Sequence, residues 1–536
     1  MNSKFLLNTS CFFVLSWGFF FLITANINFF WEDIYFFKSS PASALQNIPT
    51  ATAIFFSPYS LTNLDYGYRP LQDVLWSTLH YFFGKNTNYY RILKSIIPAL
   101  LATFLFAFFS SQGQIMYGIF ASVLFSVFTE LFISLLYSAD TMLYMHILTA
   151  SALLIFFFVY LNELNNLLTT TMSIFGIVFF ARTSMLFKHE GRIVLPIILI
   201  FAIICRRDLL KRASFWIMML FLLVLTQPIL CSPMTCFENV ASVTGATHTN
   251  FFVNFFSKLS TVVYIIKIPV LLLFILPAIT LFYFCHNKKT KCTVQQTRML
   301  HLTIFCFLWL VHELILVYAA KGLQINLYLG STFQRLDFAI IVFPLILAVF
   351  SLVITAKERI NKSALKTIFI TLIIFLSITS IIVHAIDLNS WRGGWSEYLI
   401  GWDFVRKKIE ISTNNSLLIA PIYTYAQPSL FLSNNTFIIT DIYNFTHISN
   451  FTNSHTHIFA GDRTLSFTPN TTIIQHTNYF KNCEIIIPKD MTPFGRFKEA
   501  LTGIQLKGAL ELCEYNLTAL RELQNSIKKT KMNRGK

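Results

Sequence analysis

The sequence predicts an α-helical polytopic membrane protein of about eleven transmembrane helices, followed by a small C-terminal α/β domain outside the membrane. Three observations carry that expectation. The 536 residues are 55% hydrophobic, with 58 Phe and only 12% charged residues, more apolar surface than a soluble chain of this length needs. Apolar runs recur at close to the ~20 residues that cross a bilayer. From residue 387 onward the long runs give way to short apolar stretches separated by polar, Asn-rich segments.

The spans fall near 5–30, 92–110, 114–136, 141–161, 167–187, 191–205, 213–230, 259–285, 299–320, 336–355 and 366–386. The first lacks a small-residue cleavage site and exceeds the usual signal-peptide core of about 7–15 residues, so it reads as a retained span. Residues 1–386 then form a transmembrane domain whose first external loop is 31–91, and 387–536 form the soluble domain. The formal charge of +16 does not indicate a nucleic-acid partner, because the basic residues cluster in short loops between apolar runs. Zinc-ligand spacing, a P-loop and a dinucleotide fingerprint are all missing from the sequence.

Those loops set the orientation. RRDLLKR (206–212), HNKKTKC (286–292) and AKERINK (356–362) all fall on one side, and placing the N-terminus inside makes that side cytoplasmic. Residues 31–91 and everything after about 387 are then outside, with Cys231, Cys236, Cys483 and Cys513. Cysteines there suit an oxidising compartment, and their pairing stays open; Cys11, Cys205, Cys285, Cys292 and Cys306 fall in spans or inside. High Phe, Asn and Ile usage fits an AT-rich genome and favours a bacterial plasma membrane over the ER membrane. In the C-terminal region, SLLIAP (416–421), TFIITD (436–441) and CEIIIPKD (483–490) read as strands. IYTYAQPSLFLS and RFKEALTG (496–503) read as helices, and the alternation marks a small α/β domain.

Ionisable groups in or beside spans usually face a cavity, a partner or a substrate path. On the outer side they are Glu32, Asp33, Asp65, Arg69, Glu130, Asp140, Arg182, Lys188, His189, Glu190, Arg192 and Arg335. Carboxylates meeting several cations suit an anionic phosphate substrate and a nucleophile that must lose a proton. Plainer roles compete. Lys188 and Arg192 read equally as helix-end side chains reaching for the interface, and Trp31, Tyr66, Tyr68 and Trp76 as an aromatic belt. Glu32 and Asp33 also read as water-exposed acids of an interfacial loop. Glu130 sits about two turns inside its span, too deep for a short side chain to reach water easily, which favours function or a buried ion pair.

Four motifs in order give a resemblance over about residues 10–350. The acidic pair Glu32-Asp33 followed by YRPLQDVLWSTLHYFFG (68–84) resembles the first external loop of GT-C glycosyltransferases that use polyprenyl-phosphate sugars, in particular the protein O-mannosyltransferase group and its tetratricopeptide-linked relatives. FTELFISLLYSADTMLYMHILTASALLIFF (128–157) is similar to the family's Thr-Glu, spacer and Asp opening the next span. FKHEGRIVLPIIL (187–199) resembles its Lys-Glu element before Leu-Pro, and QRLDFAIIVFP (334–344) its late external Arg before a Pro-containing span. Three departures stand out: the acidic pair is Glu-Asp, His189 interrupts the Lys-Glu pair, and tetratricopeptide periodicity is missing.

The resemblance implies a GT-C fold and an inverting transfer of a monosaccharide from a lipid-linked donor to a hydroxyl acceptor on a protein, lipid or glycan, at the outer face of the membrane lipids. In that scheme Asp33 takes the acceptor proton. Glu32 positions the acceptor, binds a divalent cation or exchanges roles with Asp33. Arg69, Lys188, His189 and Arg335 meet the donor phosphate, and Glu130, Asp140 and Glu190 support them. A flippase for lipid-linked oligosaccharides and an O-antigen polymerase or ligase are the competing readings.

Overall fold

The computed structural model describes residues 3–24, 70–83, 86–136, 142–162, 166–187, 193–226, 266–287, 294–315, 332–360 and 362–411, together with strands at 416–419, 436–439, 456–461, 480–487 and 510–515. The chain divides into two compact units. The larger carries the helices as far as Leu388, and the smaller, from Asn389 on, carries the strands.

In chain order the helices are α1 (Ser3–Thr24), α2 (Pro70–Phe83), α3 (Thr87–Ser111), α4 (Ile115–Ser126), α5 (Thr129–Leu136) and α6 (Met142–Ile155, continued by a π-helical turn, Phe156–Tyr160). There follow α7 (Leu167–Phe187), α8 (Val194–Cys205), α9 (Ala213–Thr226), α10 (Ile268–Asn287), α11 (Val294–Ile315), α12 (Thr332–Arg359) and α13 (Ser363–Ile411). Among the described residues, six helices are long and apolar enough to cross a bilayer, and a bent pair, α4 with α5, makes a seventh. Three shorter apolar helices lie at 194–205, 213–224 and 268–283. Lipid suits the outward faces: Leu15, Leu167, Phe282 and Ile368 are all exposed, where a water-soluble fold would bury most residues of this kind. The chain is a helical membrane protein.

α12 runs through the middle of the helical unit. Its Ala339–Arg359 stretch is apolar almost all round and wholly buried, as expected of a helix with no polar face. It packs against α4, α6, α10 and α11. Phe343 is the hub, with ring centroids 5.9 Å from Phe104 on α3, 6.2 Å from Phe125 on α4 and 5.9 Å from Trp309 on α11. The end of α12 is anchored by Lys357, whose Nζ donates to Gln114 Oε1 at 2.9 Å and lies 5.1 Å from the Tyr117 ring. Prolines 98, 277 and 344 sit inside α3, α10 and α12, a placement that packed membrane helices tolerate. In the basic loop after α8, Arg206 grips Asp208 through two hydrogen bonds of 2.8 and 2.9 Å. Those bonds hold the Asp208 carboxyl below its ordinary value.

In the smaller unit the strands β1 (Ser416–Ile419), β2 (Thr436–Ile439), β3 (Thr456–Gly461), β4 (Phe480–Ile487) and β5 (Leu510–Tyr515) form one mixed sheet of order β2-β1-β3-β5-β4. β1 pairs in parallel with β2 and β3, while β5 pairs antiparallel with β3 and β4. β1, β2 and β4 overlap the segments read as strands from their apolar runs; β3 and β5 were not anticipated. The intervening segments, including both stretches read as helices, lie outside the described residues.

Candidate functional site

The span expected at 114–136 is not continuous. α4 ends at Ser126, α5 begins at Thr129, and the two halves are bent by 52°. The sequence SVFTELF explains the restart, because Thr129 opens the second half and Glu130 lies in its first turn, where a carboxylate suits the positive end of the helix dipole. Glu130 is only 1% exposed.

A second discontinuity lies at Lys267, within the span expected at 259–285. Its backbone takes φ +67°, the left-handed region, which costs a residue with a Cβ about 1–2 kcal/mol. α10 restarts at Ile268 and Pro269, and proline is well tolerated in a first helical turn because its missing N–H has no bond to lose there. Lys267 is 8% exposed.

One turn of α13 meets both discontinuities. The Asp387 carboxylate, 2% exposed, accepts a hydrogen bond from Thr129 Oγ1 at 3.1 Å through Oδ2, and the same oxygen lies 3.7 Å from Lys267 Nζ. Three residues earlier, His384 donates from Nε2 to the Ile266 carbonyl oxygen at 3.2 Å, and its ring stacks on Phe128 with centroids 4.0 Å apart. Each interruption of a helix therefore receives one polar contact and one further contact from His384 or Asp387. Burying the pair of charges together avoids the several kcal/mol that an isolated buried ion costs.

Other buried polar groups lie in the same unit. Arg91 and Lys94, one turn apart on α3, are both buried, and Trp309 Nε1 donates to Glu313 Oε1 at 3.2 Å on α11. His146 of α6 packs against both Trp309 and Phe343, with centroids 5.8 and 6.1 Å away. Among the described residues, no group of three or more His, Cys, Asp and Glu is placed to hold a metal ion.

Of the site residues expected from sequence, Glu130 is placed in full. Arg335 lies in the first turn of α12, with its side chain outside what the structure describes, and Arg182 is half-buried on α7. Glu32, Asp33, Asp65, Arg69, Asp140, Lys188, His189, Glu190 and Arg192 lie outside the described residues. Lys267, His384, Asp387, Arg91 and Lys94 were missed. Lys267 inside the run VVYIIKIPVLLL and the pair in IIVHAIDL carry the same signal that singled out Glu130, an ionisable side chain within or at the end of an apolar run. No protein-family model, no curated protein and no solved structure matches the chain.

Proposed function

We propose that the chain is an integral membrane glycosyltransferase of GT-C type with about eleven spans. It moves a monosaccharide from a polyprenyl phosphate, or dolichyl phosphate, to a hydroxyl acceptor on the extracytoplasmic side, with inversion. The observation that carries the reading is Glu130, the acid of the Thr-Glu motif, buried where a membrane helix breaks and next in sequence to the Thr129–Asp387 contact. Backbone breaks and ionisable groups inside a helical bundle cost stability, and they concentrate where a membrane protein handles a polar ligand.

The chemistry follows from the leaving group. Departure of a lipid phosphate builds positive charge on the sugar and negative charge on the phosphate. A carboxylate on the opposite face removes the acceptor proton, the role given to Asp33, with Glu32 beside it holding the acceptor or a divalent cation. Cations stabilise the departing phosphate: Arg69, Lys188 and Arg335, with His189 as a hydrogen-bonding partner. Glu130, Asp140 and Glu190 orient those groups or the sugar hydroxyls.

The test is transfer from a polyprenyl-phosphate hexose by the purified protein in lipid. Asp33→Asn is expected to abolish transfer while the protein remains folded and inserted. Activity surviving in Asp33→Asn but lost in Glu32→Gln would exchange the two roles, and full activity in both would sink the enzymatic reading of this loop. A second reading, a lipid-linked oligosaccharide transporter, draws on the same broken span and buried charges, which also mark translocation paths. Movement of the donor across the bilayer without its consumption is the outcome that reading requires.

A further inference from the structure

The β4–β5 ladder changes register twice, between Lys481 and Glu484 and again between Ile485 and Ile487, and the first shift falls at the cysteines. Phe480 pairs with Tyr515 and Lys481 with Glu514, but the next pairs are Glu484 with Leu512 and Ile485 with Glu511. Asn482 and Cys483 on β4 therefore share a single opposite position on β5, and that position is Cys513. An extra residue on one strand is a β-bulge, which interrupts the ladder locally and leaves one residue without a partner. Stepping back one residue from the Glu484–Leu512 pair brings Cys483 opposite Cys513. Opposed residues on antiparallel strands have Cα atoms about 4.5–5.5 Å apart, and disulfides span Cα separations of about 4.4–6.8 Å. The register thus sets the two cysteines at the same level of neighbouring strands, where spacing of that order is expected.

We propose that Cys483 and Cys513 form a disulfide that staples β4 to β5 at the bulge. The two strands are joined through residues 488–509, so the bond closes that segment into a covalent loop and holds the edge strand β4 where its ladder is interrupted. Of the other cysteines, Cys11, Cys205 and Cys306 are free thiols of the helical unit. The oxidant is a dithiol-carrier protein in its disulfide form. The Cys483 or Cys513 thiolate attacks a carrier sulfur and expels one carrier thiolate; the second thiolate then attacks the mixed disulfide and expels the other. The chain gives up two protons and two electrons, and the carrier leaves as a dithiol. Such carriers work in the periplasm and the ER lumen, so the bond also requires the strand-bearing unit to be extracytoplasmic. The inference is independent of the transferase reading.

The experiment uses the full chain, expressed in its membrane and quenched with acid before alkylation of free thiols. Peptide mass spectrometry without reductant is expected to yield one species joining the Cys483 and Cys513 peptides, two hydrogens lighter than their sum and released by reductant. In Cys483→Ser the Cys513 thiol becomes fully alkylatable, and in Cys513→Ser so does Cys483. Complete alkylation of both cysteines in the unreduced wild-type chain would overturn the proposal. So would Cys513 remaining blocked in Cys483→Ser, or a cross-linked species joining either residue to Cys231 or Cys236.

Discussion

Asp387 shows how much one carboxylate oxygen can organise. Its Oδ2 meets Thr129 and Lys267, residues from two helix starts far apart in sequence. Truncation to Asp387→Ala leaves the Lys267 charge buried without this counterion, and removing one partner of a buried pair costs about 3–5 kcal/mol. Asp387→Asn is expected to cost clearly less, because the carboxamide oxygen still accepts from Thr129. Replacing both charges together, as Lys267→Met with Asp387→Leu, is expected to recover most of the loss suffered by Asp387→Ala. Thermal unfolding in detergent gives the ranking. Equal losses for Asn and Ala would mean that the carboxylate charge carries the whole contribution and the hydrogen bond from Thr129 adds nothing. The left-handed backbone at Lys267 fits this reading, since a strained conformer persists only where its surroundings over-determine it.

Between elements, the α3–α4 pair depends on small residues. A Cβ added at Gly118 would lie 3.0 Å from the Phe106 carbonyl oxygen and 3.2 Å from Ser110 Oγ. One turn on, Ser122 Oγ lies 2.8 Å from the carbonyl oxygens of both Ala102 and Gly118, so the two backbones run close together. Gly and Ser four residues apart are a common device for bringing membrane helices into contact, where van der Waals packing replaces the hydrophobic effect as the driving force. The Phe106 oxygen is backbone and cannot swing aside, so Gly118→Leu is expected to destabilise by about 1–3 kcal/mol through overpacking. Gly18→Ala is the control, since an added Cβ there meets nothing within 4 Å. If the two variants unfolded at the same temperature, close packing of α3 on α4 would not matter to stability. The break between α4 and α5 contrasts with this contact: α4 is held by apolar and small residues, while α5 begins on Thr129 and Glu130, polar groups that need partners.

For the whole molecule, the basic loops predict an orientation that can be tested directly. Single cysteines placed in 206–212 are expected to resist a membrane-impermeant maleimide in intact cells, whereas reporters in the strand-bearing unit are expected to react. Labelling of both positions from the same side would refute the eleven-span topology. The helical class was legible because every backbone group in a bilayer must be satisfied within its own segment, so long apolar runs become helices almost regardless of what surrounds them. The same local logic marked Glu130, a carboxylate too deep for water, and the apolar runs that overlap β1, β2 and β4. Pairing was not legible in this way. Asp387 meets Thr129 across 258 positions and Lys267 across a helix start, and a hydropathy window averages a single charge into its apolar neighbours. The breaks at Val127–Phe128 and Lys267, the turn of α13 that meets both, and the register that sets Cys483 against Cys513 are decisions of the tertiary structure, because each depends on contacts between segments that sequence periodicity describes one at a time.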